Sequence, residues 1–227
     1  MSLRIALSRG TPYAPSVDLL ERAGLSVAPL RAATRRLVVT LEDGTTVILA
    51  RPSDVPVYVE FGAADVGFAG KDVLLELAPD LYELLDLRLV PCRLVYATPE
   101  NGVAWRGERV GRLRIASKYP RAARAFFEAR GRQVEVIELK GSVELAPQVG
   151  LAHGIVDLTS SGATLRENGL VEREEVARCS TRFVANRAAH KLRGDEVAAL
   201  LERLREAVEP DGSREITSAK TSPEMRV

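Results

Sequence analysis

Apolar residues along this chain fall into short runs separated by glycine, proline and polar turns, and the spacing within the runs switches repeatedly between strand and helix periods. Residues 3–7 form an apolar run that predicts a strand ending at Ser8, Arg9 and Gly10. Val17, Leu19, Leu20 and Ala23 then recur at helical spacing and stop at Gly24, giving a strand, a glycine turn and a helix. Leu37, Val38 and Val39 face Val47, Ile48 and Leu49 across Glu42, Asp43 and Gly44, the pattern of a hairpin. Asp54 predicts a helix cap ahead of Tyr58 and Phe61, followed by a buried strand at 64–69 and a short helix at 71–77.

The second half repeats the alternation. An extended apolar run at 87–98 leads into Pro99, Glu100, Asn101 and Gly102, a strong loop signal. Strands are expected at 113–116, 134–139 and 155–158, with helices at 119–130 and 143–152 between them. A return strand is expected over 178–186. A last helix at 196–208 carries Val197, Leu200, Leu201, Leu204 and Val208 on one face, and the sequence from 209 onward is polar and aperiodic. Strands alternating with helices predict an α/β architecture with parallel crossovers.

Composition narrows the function. The 227 residues are enough for one large or two small domains, and 32 Lys and Arg against 31 Asp and Glu leave a net charge of +1. A charge balance near zero excludes a generally cationic nucleic-acid or membrane-surface binder, so any anion must be held by a local site. Aromatic residues make up 5%, which argues against stacking platforms for single strands. Cys92, Cys179, His153 and His190 are too few and too scattered for a disulfide framework or a zinc site, and they point to a reducing compartment. With no apolar stretch of signal or membrane-span length, the chain is expected in the cytoplasm, with no membrane or nucleic-acid partner.

The richest chemistry lies at 157–165, where Asp157, Leu158, Thr159, Ser160, Ser161, Gly162, Ala163 and Thr164 close an apolar strand and lead into a helix-compatible stretch. Amides at a helix start, supplemented by hydroxyls, make a phosphate cradle without lysine. Asp157 could engage ribose hydroxyls or a magnesium ion. The plainer reading is that Ser160 or Ser161 caps a helix. Lys71 after Gly70, and Lys118 and Tyr119 before Pro120, stand where strands yield to helices, although Lys71 also fits an ordinary helix start. Glu144 could bind ribose or metal, or complete a first turn capped by Ser142. The two cysteines read as packed thiols and the two histidines as surface residues.

Glu144, Gly150, Ala152, Ile155, Asp157, Leu158 and the block SGATL at 161–165 stand at the spacing of the ATP phosphoribosyltransferase signature, and the chain resembles that family. The likeness extends to RPSDVPVYVE at 51–60, GAADVG at 62–67, GKDVL at 70–74, CRL at 92–94, RIASKYP at 114–120 and GSVE at 141–144. The resemblance implies two α/β lobes like type II periplasmic binding proteins, with the cleft between them as the active site. The first lobe would take 1–92 plus 178–227 and the second 93–177. The implied reaction joins N1 of the ATP adenine to C1 of phosphoribosyl pyrophosphate and releases pyrophosphate, the first step of histidine biosynthesis. Magnesium would be required, held mainly by substrate phosphates. A non-catalytic nucleotide- or solute-binding protein of the same fold is the alternative.

By the same resemblance, Asp157, Thr159, Ser160, Ser161, Gly162, Ala163 and Thr164 hold the phosphoribosyl group. Ser8, Arg9 and Gly10 match a cleft-facing loop in which Arg9 keeps the charge of the family's usual lysine, while Thr11 stands where arginine is common. Arg9 and Arg35 would stabilise the leaving pyrophosphate, with Arg36 as an alternative to Arg35. Arg51, Lys71 and Glu144 would add substrate contacts. The short form of the family works as a hetero-octamer in which a homodimer-forming catalytic chain meets a regulatory subunit resembling histidyl-tRNA synthetase. Low or unregulated activity is therefore expected of the chain alone.

Overall fold

The N-terminal run forms β1 (Arg4–Ser8), buried at every position after Arg4, in a computed structural model that describes residues 3–32, 35–102 and 112–208. α1 (Tyr13–Arg22) buries Val17, Leu19 and Leu20 and ends before Gly24. A short α2 (Ala28–Ala32) follows, where a single buried apolar position, Leu30, left no period to read. β2 (Val38–Thr40) and β3 (Thr46–Ala50) form the expected hairpin. α3 (Val55–Glu60) starts after Asp54, but that carboxylate makes no cap bond and instead accepts from the Ser53 hydroxyl at 2.8 Å. β4 (Val66–Gly70) and α4 (Lys71–Leu77) agree with the pattern. Gly67 is needed here because α3 lies so close that a Cβ would come within 2.7 Å of Val59 Cγ2.

Three expectations change. The run at 87–98 is not one strand: β5 (Leu81–Asp86) precedes it, and β6 (Cys92–Pro99) begins only after a connection in which Arg88 and Val90 adopt positive φ of 55° and 49°. The helix expected at 143–152 is only α6 (Leu145–Gln148), because Gly150 at φ +72° turns the chain out of it. The return strand at 178–186 splits into β10 (Leu170–Cys179) and β11 (Thr181–Asn186), which belong to different sheets. Charges at Glu172, Arg173, Glu174 and Glu175, together with register shifts on either side of Glu174, break the alternation that would have revealed β10. β7 (Leu113–Ser117), α5 (Pro120–Glu128), β8 (Val134–Glu138), β9 (Gly154–Thr159) and α7 (Ala163–Glu167) complete the second half, and α8 (Arg187–Leu192) and α9 (Gly194–Val208) follow β11. The sequence from 209 onward lies outside the described residues.

The strands make two sheets, ordered β2-β3-β1-β4-β11-β5 and β10-β6-β9-β7-β8. β3, β1 and β4 are mutually parallel, as are β9, β7 and β8, and the remaining pairings are antiparallel. Helices cover both faces of each sheet. Leu7, Phe68 and Phe183 pack with Leu19, Leu20 and Leu204 on one side of the first sheet, and Ala6, Val184, Val55 and Val59 form the other side. In the second sheet, Tyr96 and Ile115 pack on Phe126 and Phe127, while Val95 and Ile155 pack on Ala146 and Leu165.

The chain passes between the sheets twice, at 87–91 and at Ser180. Ser180 is pinned to the first sheet, since its hydroxyl donates to Asp86 at 2.6 Å and its carbonyl accepts from the Lys71 amide at 3.0 Å. The C-terminal ends of β4 and β7 meet through the helices that follow them. Tyr119 donates to Asp72 at 2.9 Å, and Glu76 of α4 accepts from the amides of Arg121 and Ala122, each at its closest 2.9 and 3.1 Å. The open first turn of α5 is thus satisfied by a carboxylate from the opposite half.

Candidate functional site

The end of β9 is built to present backbone polar groups. Thr159 Oγ1 accepts from the Gly162 amide at 2.9 Å, and Ser161 Oγ accepts from the Ala163 amide at 3.3 Å. Gly162 itself takes the N-cap position of α7 at φ +73°, a conformation that a side chain would strain. Neither Ser160 nor Ser161 is therefore the helix cap. Both are exposed, as is Thr164, and the amides of Ser160, Ser161 and Thr164 have no protein acceptor among the described residues. A tight turn with outward hydroxyls and open amides suits a phosphate.

Asp157 sits just behind this turn and is 7% exposed. Oδ1 accepts from the Leu158 amide at 2.9 Å, and Oδ2 lies 3.8 Å from Lys118 Nζ, beyond hydrogen-bond reach. Burial pushes its carboxyl above the usual range, Glu144 adds to the rise, and the amide and Lys118 only partly offset it. Ser117 at the end of β7 ties the neighbouring strands, donating to the Val156 carbonyl at 2.6 Å and accepting from the Tyr119 amide at 2.8 Å. This holds Lys118 beside Asp157. Burial, then Asp72, push the Tyr119 hydroxyl up, so it remains a donor.

The first sheet contributes residues at the matching strand ends, where Ser8 pairs with Ala50 in register. Ser8 is buried, and its hydroxyl is directed at the Phe68 carbonyl at 3.4 Å. Arg9 and Gly10 are exposed, and the Arg9 amide donates to Ala50. Arg51 is exposed beside them. Lys71 follows β4, yet its ammonium is bound to Glu83 at 2.6 Å on β5 and does not join the Asp157 turn. Arg35 and Arg36 line a separate cavity of about 720 Å³ with Pro29, Val38 and Thr40, and no residue of the 157–164 turn reaches it. Glu144 is half-buried at the start of α6, with no cap bond, and its charge is felt at Asp157. His153 is half-buried and accepts from the Arg114 amide at 3.0 Å, a structural contact, and His190 is exposed.

A cavity of about 490 Å³ opens where the two connections run side by side. Cys92, Cys179, Ser160 and Ser180 line it, with Arg88, Arg93, Arg178 and Arg182. Sequence reasoning missed Asp72 and Glu76, which join the halves, because carboxylates at either end of a short surface helix look like ordinary solvated charge. Among the described residues no three His, Cys, Asp or Glu gather to hold a metal, and no helix is long and apolar enough to cross a membrane.

The family model for HisG, ATP phosphoribosyltransferase, matches residues 51–206, which include the Asp157 turn and both connections. An ATP phosphoribosyltransferase from Symbiobacterium thermophilum is 50% identical over 210 residues, covering 91% of this chain and 95% of the relative. One from Rubrobacter xylanophilus is 48% identical, covering 88% and 93%. Among solved structures, the ATP phosphoribosyl transferase (HisG:HisZ) complex from Thermotoga maritima superposes with a TM-score of 0.77 at 34% identity, covering 91% of this chain and 97% of that one. The periplasmic aliphatic sulphonate binding protein SsuA from Escherichia coli superposes at 0.56 with 15% identity, covering 91% and 72%, a likeness of fold alone. The two-sheet α/β architecture is thus that of type II periplasmic binding proteins, and this chain belongs to the ATP phosphoribosyltransferase family.

Proposed function

We propose that the chain joins N1 of the ATP adenine to C1 of phosphoribosyl pyrophosphate with release of pyrophosphate, and that the turn after β9 holds the 5-phosphoribosyl group. The observation that carries the site is the pairing of a buried, incompletely compensated carboxylate with open amides and hydroxyls on consecutive residues. Ser160, Ser161, Gly162, Ala163 and Thr164 surround the phosphate, Thr159 shapes the turn, and Asp157 accepts from the ribose hydroxyls. Lys118 keeps Asp157 ionised as substrate arrives.

The chemistry asks little of a protein base, because adenine N1 already carries a lone pair. It needs two polyanions aligned and a departing pyrophosphate stabilised. Arg9 and Arg51, exposed at the β1 and β3 ends, supply that charge, and Arg35, in the connection before β2, adds to it across the cavity it lines. Ser8 and Gly10 shape the loop that carries Arg9, while Lys71 remains with Glu83 in this reading. Asp157 and Glu144 offer the hard oxygen donors that suit Mg2+, and two carboxylates alone fit an ion carried mainly on substrate phosphates. The ion would neutralise pyrophosphate charge as it leaves.

In this reading the lobes comprise 1–92 with 178–227, and 93–177, hinged at the two connections. The Thermotoga maritima relative is a complex with HisZ, which supports a regulatory chain of that kind for this protein, in a hetero-octamer built on a catalytic homodimer. The reaction belongs in the cytoplasm, where both substrates are available. The test is to mix the protein with ATP, phosphoribosyl pyrophosphate and magnesium, with and without a HisZ-like chain, and follow the phosphoribosyl-ATP adduct by absorbance. Adduct in either mixture supports the reading; two flat traces alongside measurable substrate binding would leave only a binding protein.

A further inference from the structure

Cys92 and Cys179 are the only two cysteines of the chain, and they lie directly opposite each other in the antiparallel pair of β6 and β10. Directly opposed residues in such a pair have Cβ atoms roughly 4.5–5.5 Å apart, a small adjustment from the roughly 3.5–4.5 Å of a disulfide. Both stand at strand ends, Cys92 opening β6 and Cys179 closing β10, where the ladder constrains the backbone least. We propose that these two thiols form a reversible intramolecular disulfide by exchange with a small anionic disulfide, and that the bond staples the two connections between the lobes.

Access and chemistry favour an order of events. Cys92 is half-buried on the wall of the 490 Å³ cavity, whose lining carries Arg88, Arg93, Arg178 and Arg182. Arg93 and Arg178 pair with Glu172 and Glu175, and Arg182 with Glu83 and Asp86, so the cavity offers a small anionic disulfide such as that of glutathione access to Cys92 past paired guanidinium groups. Cys179 is buried behind it. Cys179 Sγ lies 4.0 Å from the Ala177 carbonyl, and the neighbouring Cys179 thiol holds Cys92 below the usual thiol range against the effect of its burial. Cys92 thiolate attacks one sulfur of glutathione disulfide and expels one glutathione, leaving a mixed disulfide on Cys92. Cys179 then gives up its proton to water and displaces the second glutathione. Two protein thiols are oxidised and one glutathione disulfide is reduced to two glutathiones.

The bond would join the residue after one connection to the residue before the other, fixing the spacing of the two strand ends from which both connections leave the second sheet. Cross-strand geometry stores strain, which makes the bond easy to reduce again.

The whole chain, freshly reduced, is incubated with glutathione disulfide, and intact mass and free thiols are counted after denaturation. The expected product has lost two hydrogens and both thiols and carries no glutathione. The Cys179→Ser variant should stop at a glutathione adduct, and Cys92→Ser should stay unmodified. A wild-type protein that keeps its thiols, or stops at an adduct, overturns the disulfide. Turnover of the oxidised protein should fall several-fold and return with dithiothreitol; unchanged turnover overturns the staple. The thiol count does not depend on the proposed activity, so a failure of that activity and a failure of this site are distinguishable.

Discussion

Two buried aspartates stand at opposite ends of the molecule's strands, and their surroundings differ in kind. Asp65, just before β4, is 4% exposed and accepts from the Arg4 amide and guanidinium at 2.8 and 3.0 Å and from Arg193 at 2.7 Å. Burial works to raise its carboxyl, but the Arg4 hydrogen bonds and the charges of Arg4 and Arg193 hold it below the usual range. Asp157, equally hidden, has one amide and one lysine that stops short of contact, and its carboxyl is raised. Burial alone does not mark a functional acid. The mark is burial without full compensation, which leaves an interaction for a ligand to complete.

The contrast can be broken most severely at Asp65. Asp65→Ala leaves two arginines facing each other without their shared anion, and chemical denaturation should show a loss of about 2–4 kcal/mol, partly screened at exposed Arg4. Phosphoribosyl pyrophosphate affinity of the folded fraction should be unchanged. Asp157→Asn should do the reverse. Loss of a charged acceptor weakens phosphoribosyl pyrophosphate binding by about 1.5–3 kcal/mol, roughly 10–100-fold, while the melting temperature at neutral pH rises.

The pH dependence separates the two acids by sign. Asp65, lowered by folding, stabilises the protein above its unfolded pKa, and this contribution is lost as pH falls through its folded value. Asp157, raised by folding, penalises the folded state above its folded pKa, and the penalty fades as pH falls towards its unfolded value. Melting curves from pH 7 downward should therefore show the Asp157→Asn advantage shrinking towards acid, and an advantage that grows would reverse the assignment.

Smaller effects probe the turn and the contact between the halves. Gly162→Ala forces a side chain into φ +73°, at a cost of about 1–2 kcal/mol shared between stability and phosphate affinity. Tyr119→Phe deletes the hydrogen bond to Asp72 and should lower stability by about 1 kcal/mol, with denaturant midpoints as the readout.

How much of this was legible beforehand follows the same division. The β9 turn was readable, because an apolar strand, a glycine and hydroxyls are all adjacent in sequence. So were β1, the hairpin and α4, where local period and turn residues agree. The roles of Asp65 and Glu76 were not, since their partners lie 61 and 128 residues, and about 45 residues, away along the chain. β10 was hidden by charges that find partners only across the sheet, as Glu172 does with Arg93. Where the charge of Arg35 and Lys71 is directed was not legible either, because a sequence shows charge but not its partner: the fold pairs Lys71 with Glu83 and puts Arg35 on the wall of a cavity beside β2.

The central claim is that the uncompensated acid after β9 belongs to the phosphoribosyl site. Calorimetric titration of phosphoribosyl pyrophosphate into wild type and Asp157→Asn, with Asp65→Asn as the paired control, tests it most directly. The account predicts affinity lowered at least about tenfold by Asp157→Asn and unaltered by Asp65→Asn. Equal affinity in wild type and Asp157→Asn would contradict it.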